Sequence, residues 1–230
     1  MLKHWNLFEK FLFGVNFTIS VMFLVIGRDY GILPWLSFVA SVSNTLCVIL
    51  TAKKKVINFA WGVLGVVSYG IVAFAYRNTG EWMLNFLFYF PTNIIAWIEW
   101  YHVSEDKIYV KSRALSRRQI VFMGITTIAG ILAYAWFISL PGLQMFLYNG
   151  LTGFTFSKYL IDSFTVVCSI VGMILLIRQY REQWITWIAV DVMSIVLWCI
   201  TFEPTMILLW ATLLTNAVYG FVKWRRAERV

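Results

Sequence analysis

Long apolar runs alternate with short polar segments along this chain. Eight of these runs have nearly the length, about 20 mainly apolar residues, that a helix needs to cross the hydrocarbon core of a bilayer. Because the apolar residues are continuous and do not alternate with polar ones, the runs predict helices and not the strands of a membrane barrel. The predicted spans are residues 9–27, 33–51, 57–77, 82–102, 119–139, 160–178, 183–201 and 205–223.

The composition agrees with an integral membrane protein. Of the 230 residues, 60% are hydrophobic, 18% are aromatic and 13% are charged. Soluble domains are about 45–50% apolar and about 25% charged, so a soluble fold of this length would lack the charged side chains to cover its surface. These figures exclude a soluble enzyme, a nucleic-acid-binding domain and a disordered chain.

The basic residues predict the orientation of the spans. If the N-terminus is cytoplasmic, all but three of the 19 Lys and Arg residues fall on the cytoplasmic side, as the positive-inside rule requires. The exceptions are Arg28, Arg77 and Lys158. We therefore predict a multi-pass protein with both termini in the cytoplasm. The formal net charge of +8 reflects this topology and not a nucleic-acid partner.

Matching polar residues indicate an internal repeat. Thr-Asn pairs lie near the middle of the fourth and eighth runs, at 92–93 and 215–216, and Trp61 can be set opposite Trp187. Runs two to four and six to eight then form two triplets joined by the fifth run. Because that single helix follows a triplet with an odd number of spans, the two repeats are parallel, an arrangement found in some transporters.

The predicted organisation has five parts. They are an extra N-terminal helix (1–32), the first triplet (33–103), the linker helix with its flanking loops (104–159), the second triplet (160–224) and a cytoplasmic tail (225–230). The Phe-rich faces of the first helix predict peripheral packing or a role in an oligomer. The outside segment 140–159 is either a lid or a connector.

Several predicted spans carry polar side chains at similar depth. Uncompensated polar groups in hydrocarbon cost several kcal/mol each, so such residues face the bundle interior or a cavity. Hydrogen bonding between helices is the alternative role for each. Flat tryptophan faces beside carboxamides suit a planar heteroaromatic ring. The candidates are Asn44, Tyr69, Tyr89, Asn93, Asp191, Ser194 and Asn216, with the deep tryptophans Trp97 and Trp187.

Two of these spans have unusual features. Asp191 is the only acid at mid-membrane depth, and no Lys or Arg is predicted at its level. It is therefore either neutral and hydrogen-bonded, or paired with a cationic ligand, or involved in proton coupling. Pro91 should free the carbonyl of Leu87. A bend at this point, beside Asn93, would open space for a ligand, act as a hinge or be a simple packing kink.

The second triplet contains the most specific motifs. They are an Asp-Ser pair at 162–163, a Trp-x-x-Trp at 184–187 and an Asp-x-x-Ser at 191–194, and the run 85–100 adds matching residues in the first triplet. Over residues 36–225 the chain resembles the PnuC family of bacterial nicotinamide riboside transporters.

This resemblance implies a three-plus-one-plus-three core like that of SWEET sugar transporters, in the bacterial inner membrane. It also implies facilitated diffusion of nicotinamide riboside, and assembly as a homotrimer. Of the candidate binding residues it favours Asn93, Trp184, Trp187 and Asn216. Many members carry Asn where this chain has Asp191, so thiamine and riboflavin stay open as alternative substrates.

We therefore predict a transporter that binds its substrate at mid-membrane between the two triplets and alternates access by rocking. An intramembrane enzyme is a remote alternative, because no histidine or acid pair is predicted at mid-membrane depth. An assembly protein is a second alternative. No motif for a nucleotide is present, and the three cysteines and two histidines have no metal-binding spacing. We expect no cofactor and no metal.

Overall fold

In the computed structural model the described residues are 5–26, 31–75, 82–143, 156–201 and 204–226. Apart from two isolated β-bridges, their regular secondary structure is helical, which confirms the predicted all-helical class. The helices, in chain order, are α1 (Leu7–Ile26), α2 (Ile32–Ala52), α3 (Asn58–Ala75), a π-helix (Leu84–Tyr89) that continues into α4 (Phe90–Val103), α5 (Arg117–Ile138), α6 (Phe156–Ile177), α7 (Gln183–Thr201) and α8 (Pro204–Arg226).

Five of these helices, among the described residues, are long and apolar enough to cross a membrane. They are α1, α2, α3, α5 and the Tyr159–Ile177 part of α6. A shorter apolar stretch, Gln183–Val196, belongs to α7. The protein is therefore a multi-pass membrane protein, while the count of eight spans stays a prediction.

The chain divides into two compact units, Met1–Lys111 and Ser112–Val230. In the first unit α2 packs against both α1 and α3, and α3 packs against α4. In the second unit α6 packs against both α5 and α7, and α7 packs against α8. Much of the 140–159 segment, predicted as a lid or a connector, lies outside the described residues, as do Arg28 and Arg77.

A nearly identical turn joins α2 to α3 in the first unit and α6 to α7 in the second. One residue of each turn, Lys54 or Gln179, has a φ of 58°, a left-handed conformation that non-glycine residues rarely adopt. The next residue donates its backbone N–H to the carbonyl five positions earlier, at 3.1 Å and 2.9 Å respectively. This shared backbone geometry supports the predicted repeat.

The turns also fix the register of the repeat. They place Asn58 opposite Gln183, since each is the first residue of the helix that follows its turn. This register differs by one residue from the sequence-based pairing of Trp61 with Trp187. The sequence pairing was wrong because it aligned bulky side chains, whereas the backbone hydrogen bonds of the turn determine where each helix begins.

The segment between α4 and α5 pairs with both turns. Within the first unit, Val56 donates to Ile108 at 2.9 Å. Within the second unit, Arg113 donates to Gln179 and accepts from Arg181, both at 2.9 Å. Each turn is thus held by a backbone bridge as well as by its own hydrogen bonds.

The first of these bridges follows a tight loop centred on Asp106. Its Oδ1 atom accepts hydrogen bonds from the backbone N–H groups of Tyr109 at 2.8 Å and Ile108 at 2.9 Å, and from the hydroxyl of Ser104 at 2.9 Å. These bonds, that from Tyr109 first, lower the pKa of the Asp106 carboxyl below its ordinary value.

An ion pair fixes α1 to the end of α2 within the first unit. Lys53 Nζ lies 2.5 Å from Glu9 Oε2, and their side chains are only 11% and 1% exposed. Asn6 and Glu9 also exchange side-chain and backbone hydrogen bonds at the start of α1, in the manner of a capping box. Trp5 and Leu12 pack beside this pair in an apolar cluster.

Candidate functional site

In the first unit, two of the predicted asparagines pack on one face of α3. A Cβ atom at Gly62 would lie 2.5 Å from Asn93 Oδ1, and one at Gly65 would overlap the side chain of Asn44. Gly62 and Gly65 are one turn apart, so both carboxamides occupy the same small-residue face. Asn93 also donates from Nδ2 to the carbonyl of Tyr89 at 2.8 Å. A side chain at either glycine would displace the asparagine amide that packs on it.

The helix that carries Asn93 begins with the π-helix Leu84–Tyr89. The Phe90 N–H donates to Asn85 O, a five-residue step, and Pro91 follows immediately. π-Helices are rare in proteins, and those that occur are frequently found at functional sites. The π-helix is a widened turn that ends two residues before Pro91, while the predicted free carbonyl of Leu87 and the bend beside Asn93 stay predictions.

The remaining candidates of the first unit lie near this face. Tyr69 follows Gly62 and Gly65 at helical spacing on α3, and 40% of its surface is exposed. Trp97 is one turn beyond Asn93 on α4 and, like the Tyr89 side chain, is partly buried.

In the second unit, the two tryptophans of the Trp-x-x-Trp motif pack on glycines. A Cβ atom at Gly220 would lie 2.5 Å from the Trp184 ring, and one at Gly172 would lie 3.1 Å from the Trp187 ring. Trp184 also meets the edge of Trp224, with ring centroids 5.9 Å apart and planes at 83°. Contacts with α8 thus fix the Trp184 ring, and α6 supports the Trp187 ring.

Beside these rings lie buried polar atoms that lack a hydrogen-bond partner among the residues that the structure describes. They include the indole Nε1 of Trp184, Oδ1 of Asn216, and both side-chain polar atoms of Gln183. Leaving such an atom unsatisfied costs about 1–3 kcal/mol, and native proteins retain few of them. Asn216 is one turn before Gly220 on α8, the glycine on which Trp184 packs. The arrangement can therefore hydrogen-bond a polar ligand or water.

Gln183 was not predicted as a site residue. A glutamine at the start of a helix is an ordinary feature, and the sequence contains no indication that its side chain would be fully buried without a partner. Its position directly before Trp184 was the only available signal.

Asp191 and Ser194 continue one face of α7 from Trp187, at spacings of four and three residues. Both side chains are buried. No basic side chain in the described parts of the chain forms an ion pair with Asp191. The three predicted roles of this carboxyl group, as a neutral hydrogen-bonded acid, as a partner of a cationic ligand or in proton coupling, stay predictions.

Comparison with known proteins places this arrangement in a family. A family model described as "Nicotinamide mononucleotide transporter" matches residues 34–226. The nicotinamide riboside transporter PnuC of Neisseria mucosa is 29% identical and aligns over 96% of this chain and 82% of its own. The protein of the same name from Haemophilus influenzae is 28% identical, over 84% of this chain and 80% of its own.

A solved structure agrees with these relatives. The crystal structure of the vitamin B3 transporter PnuC matches with a TM-score of 0.77 and 29% sequence identity, over 98% of this chain and 93% of that chain. The family model covers most of the sequence, and the fold agrees along nearly its whole length. The resemblance stated from the motifs is confirmed: the chain belongs to the PnuC family, whose members are membrane transporters and not enzymes.

Proposed function

We propose that this protein takes up nicotinamide riboside across a bacterial inner membrane by facilitated diffusion. The observation that carries the proposal is the set of unpartnered buried polar atoms beside Trp184 in the second unit. Relatives that align with most of this chain are named nicotinamide riboside transporters.

The chemistry of this substrate suits the residues of the second unit. Nicotinamide riboside has a flat, positively charged pyridinium ring, a carboxamide and ribose hydroxyls. The face of the partly buried Trp187 ring supplies stacking area and attracts a cationic ring. Asn216 and the indole N–H of Trp184 supply an acceptor and a donor for the polar groups. Asp191 supplies a compensating acid for the ring charge, and Ser194 adds a hydroxyl one turn further on.

We assign a second set of binding residues to the first unit. Asn93 is the main candidate, because its Oδ1 atom is held at a fixed place against Gly62. Asn44, Tyr69, Tyr89 and Trp97 complete this set.

The transport cycle follows from the repeat. We propose eight spans in a SWEET-like three-plus-one-plus-three core with an extra N-terminal helix, cytoplasmic termini and assembly as a homotrimer. Rocking of one repeat against the other would alternate access to a mid-membrane site. The near-identical turns after α2 and α6 and the bias of Lys and Arg toward one side support this topology.

Calorimetry on the purified full-length chain with three ligands tests the substrate. We expect nicotinamide riboside to bind more tightly than thiamine or riboflavin. Substitution of Trp187 or Asn93 by Ala should weaken binding at least tenfold, since each removes a direct contact, without preventing folding. Preferential binding of thiamine or riboflavin would retain the architecture and overturn the proposed substrate.

A further inference from the structure

We propose that Gln183 forms a subsite that recognises the primary carboxamide of the substrate and discriminates it from a carboxylate. The subsite deepens the proposed function and rests on it. In this subsite the Gln183 side chain hydrogen-bonds the carboxamide, the group that distinguishes nicotinamide riboside from nicotinic acid riboside.

The Gln183 side chain is in an unusual state. It is completely buried, and neither its Oε1 nor its Nε2 has a hydrogen-bond partner within the described ranges. The backbone of the same residue is fully used. Its N–H donates to Tyr180 O at 3.3 Å, and its carbonyl accepts from the Thr186 hydroxyl at 2.6 Å. Formation of the helix therefore does not require the carboxamide.

The corresponding residue of the first repeat provides the contrast. Asn58 is also completely buried at the first position of its helix. Its Nδ2 donates to Lys55 O at 2.7 Å, and its Oδ1 accepts from Cys47 Sγ at 3.9 Å. The Asn58 carboxamide is thus hydrogen-bonded within the first unit, whereas the equivalent Gln183 carboxamide in the second unit keeps a donor and an acceptor available.

Gln183 lies on the same helix face as other candidate binding residues. Gln183 and Trp187 are four residues apart on α7, so they are neighbours on one helix face, about 5–6 Å apart at Cβ. Asp191 and Ser194 continue the same face. Because the Trp187 ring is fixed against Gly172, a pyridine ring stacked on it would place a ring substituent within reach of Gln183.

The Gln183 side chain is complementary to a primary carboxamide. A primary carboxamide offers N–H donors and a carbonyl acceptor, and Gln183 offers the same two groups in the opposite order, so the pair forms two parallel hydrogen bonds. A carboxylate offers acceptors only. Against a carboxylate, Oε1 of Gln183 would stay buried and unsatisfied, which makes the acid analogue the weaker ligand.

The test is calorimetry with nicotinamide riboside and nicotinic acid riboside on the full-length chain. We expect the unsubstituted protein to prefer the amide by about tenfold or more. Gln183→Met keeps the length of the side chain and removes both polar atoms. In this variant the preference should fall to about threefold or less, mainly because the amide binds more weakly.

Asn58→Leu is the matched control, because it removes a structural carboxamide at the equivalent position. It should lower the melting temperature and leave the amide-to-acid preference unchanged. If Gln183→Met does not fold, Gln183→Asn retains the carboxamide but shortens its reach, and it should lower affinity for the amide severalfold while sparing the acid.

The outcomes distinguish failure of the Gln183 subsite from failure of the proposed transport function. A folded Gln183→Met or Gln183→Asn variant with the original preference would overturn the subsite and leave the transporter intact. An unsubstituted protein that binds neither riboside would overturn the proposed function and the subsite together.

Discussion

The two units share the backbone geometry of a turn but differ in the side chains that pack within them. Each has the same left-handed residue in the turn between its helices, yet different groups pack on the helical glycines of the two units. In the first unit Gly62 and Gly65 accommodate asparagine side chains, and in the second Gly172 and Gly220 accommodate tryptophan rings. A repeat can therefore keep its framework while the side chains that pack on it diverge.

The difference extends to hydrogen bonding. In the first unit Asn58 and Asn93 donate to backbone carbonyls of that unit. In the second unit Gln183, Trp184 and Asn216 have buried polar atoms without a partner in the described part of the chain. Among the residues that the structure describes, the first unit therefore contains more of the internally satisfied framework, and the second more of the unused capacity to bind a ligand.

The largest expected effect comes from breaking the buried ion pair of the first unit. Glu9→Ala would leave the buried Lys53 ammonium without its acidic partner, at a cost of about 3 kcal/mol or more. We expect a large fall in melting temperature, measured by thermal unfolding in detergent, with little change in the affinity of the remaining folded protein for substrate.

The exposed pair in the same unit provides the control. Lys111 Nζ lies 2.7 Å from Glu105 Oε1, with both side chains more than 80% exposed. Glu105→Ala should leave the melting temperature unchanged, because exposed ion pairs contribute little. Equal behaviour of the two variants would contradict the structural role given to Glu9.

The next effect tests the glycine contacts of the second unit. In Gly220→Ala the new methyl group would lie 2.5 Å from the Trp184 ring, so the indole must move. Overpacking of this kind costs about 1–3 kcal/mol, and we expect substrate affinity to fall about tenfold or more by calorimetry. Gly124→Ala, where a Cβ meets nothing within 4 Å, should bind normally. Unchanged substrate affinity in Gly220→Ala would show that Trp184 does not contribute to the binding site.

A smaller effect tests the role of Asp191. If the carboxyl compensates the charge of the pyridinium ring, Asp191→Asn should weaken binding of nicotinamide riboside by about 1 kcal/mol, roughly fivefold. The reduced riboside has a neutral ring and should bind equally to both proteins. Equal losses for the two ligands would show that the residue acts as a hydrogen-bonding group and not as a charge partner.

The smallest effect is a pH dependence in the first unit. Because hydrogen bonds lower the pKa of Asp106 in the folded state, they stabilise the loop above the ordinary pKa of Asp, and this stabilisation is lost progressively as the pH falls from that value through the lowered pKa. Asp106→Asn should therefore lower the melting temperature slightly at pH 7, and the difference from the unsubstituted protein should shrink as the pH falls below the ordinary pKa of Asp. A constant difference across this range would exclude the carboxylate as its source.

The positions of the helices and the family of the protein could both be predicted from the sequence. Bilayer thickness fixes the length of an apolar run, so the predicted spans coincide with α1 to α8 to within a few residues at most ends. The Asp-Ser, Trp-x-x-Trp and Asp-x-x-Ser motifs, with the matching run 85–100, were together specific enough to identify the PnuC family.

The contacts of the site could not be predicted in the same way. Trp184 packs on Gly220, and Asn93 on Gly62, across separations that no local periodicity encodes. The register of the repeat was wrong by one residue because it depends on backbone hydrogen bonds in the turns. Gln183 was missed because the burial of its side chain depends on tertiary packing.

The most direct test of the account is uptake of radiolabelled nicotinamide riboside into proteoliposomes that contain the purified protein and no ATP. We predict that the internal concentration rises until it equals the external one, and that Trp187→Ala slows this equilibration severely. Uptake that requires ATP, or no uptake above protein-free liposomes, would contradict facilitated diffusion of this substrate.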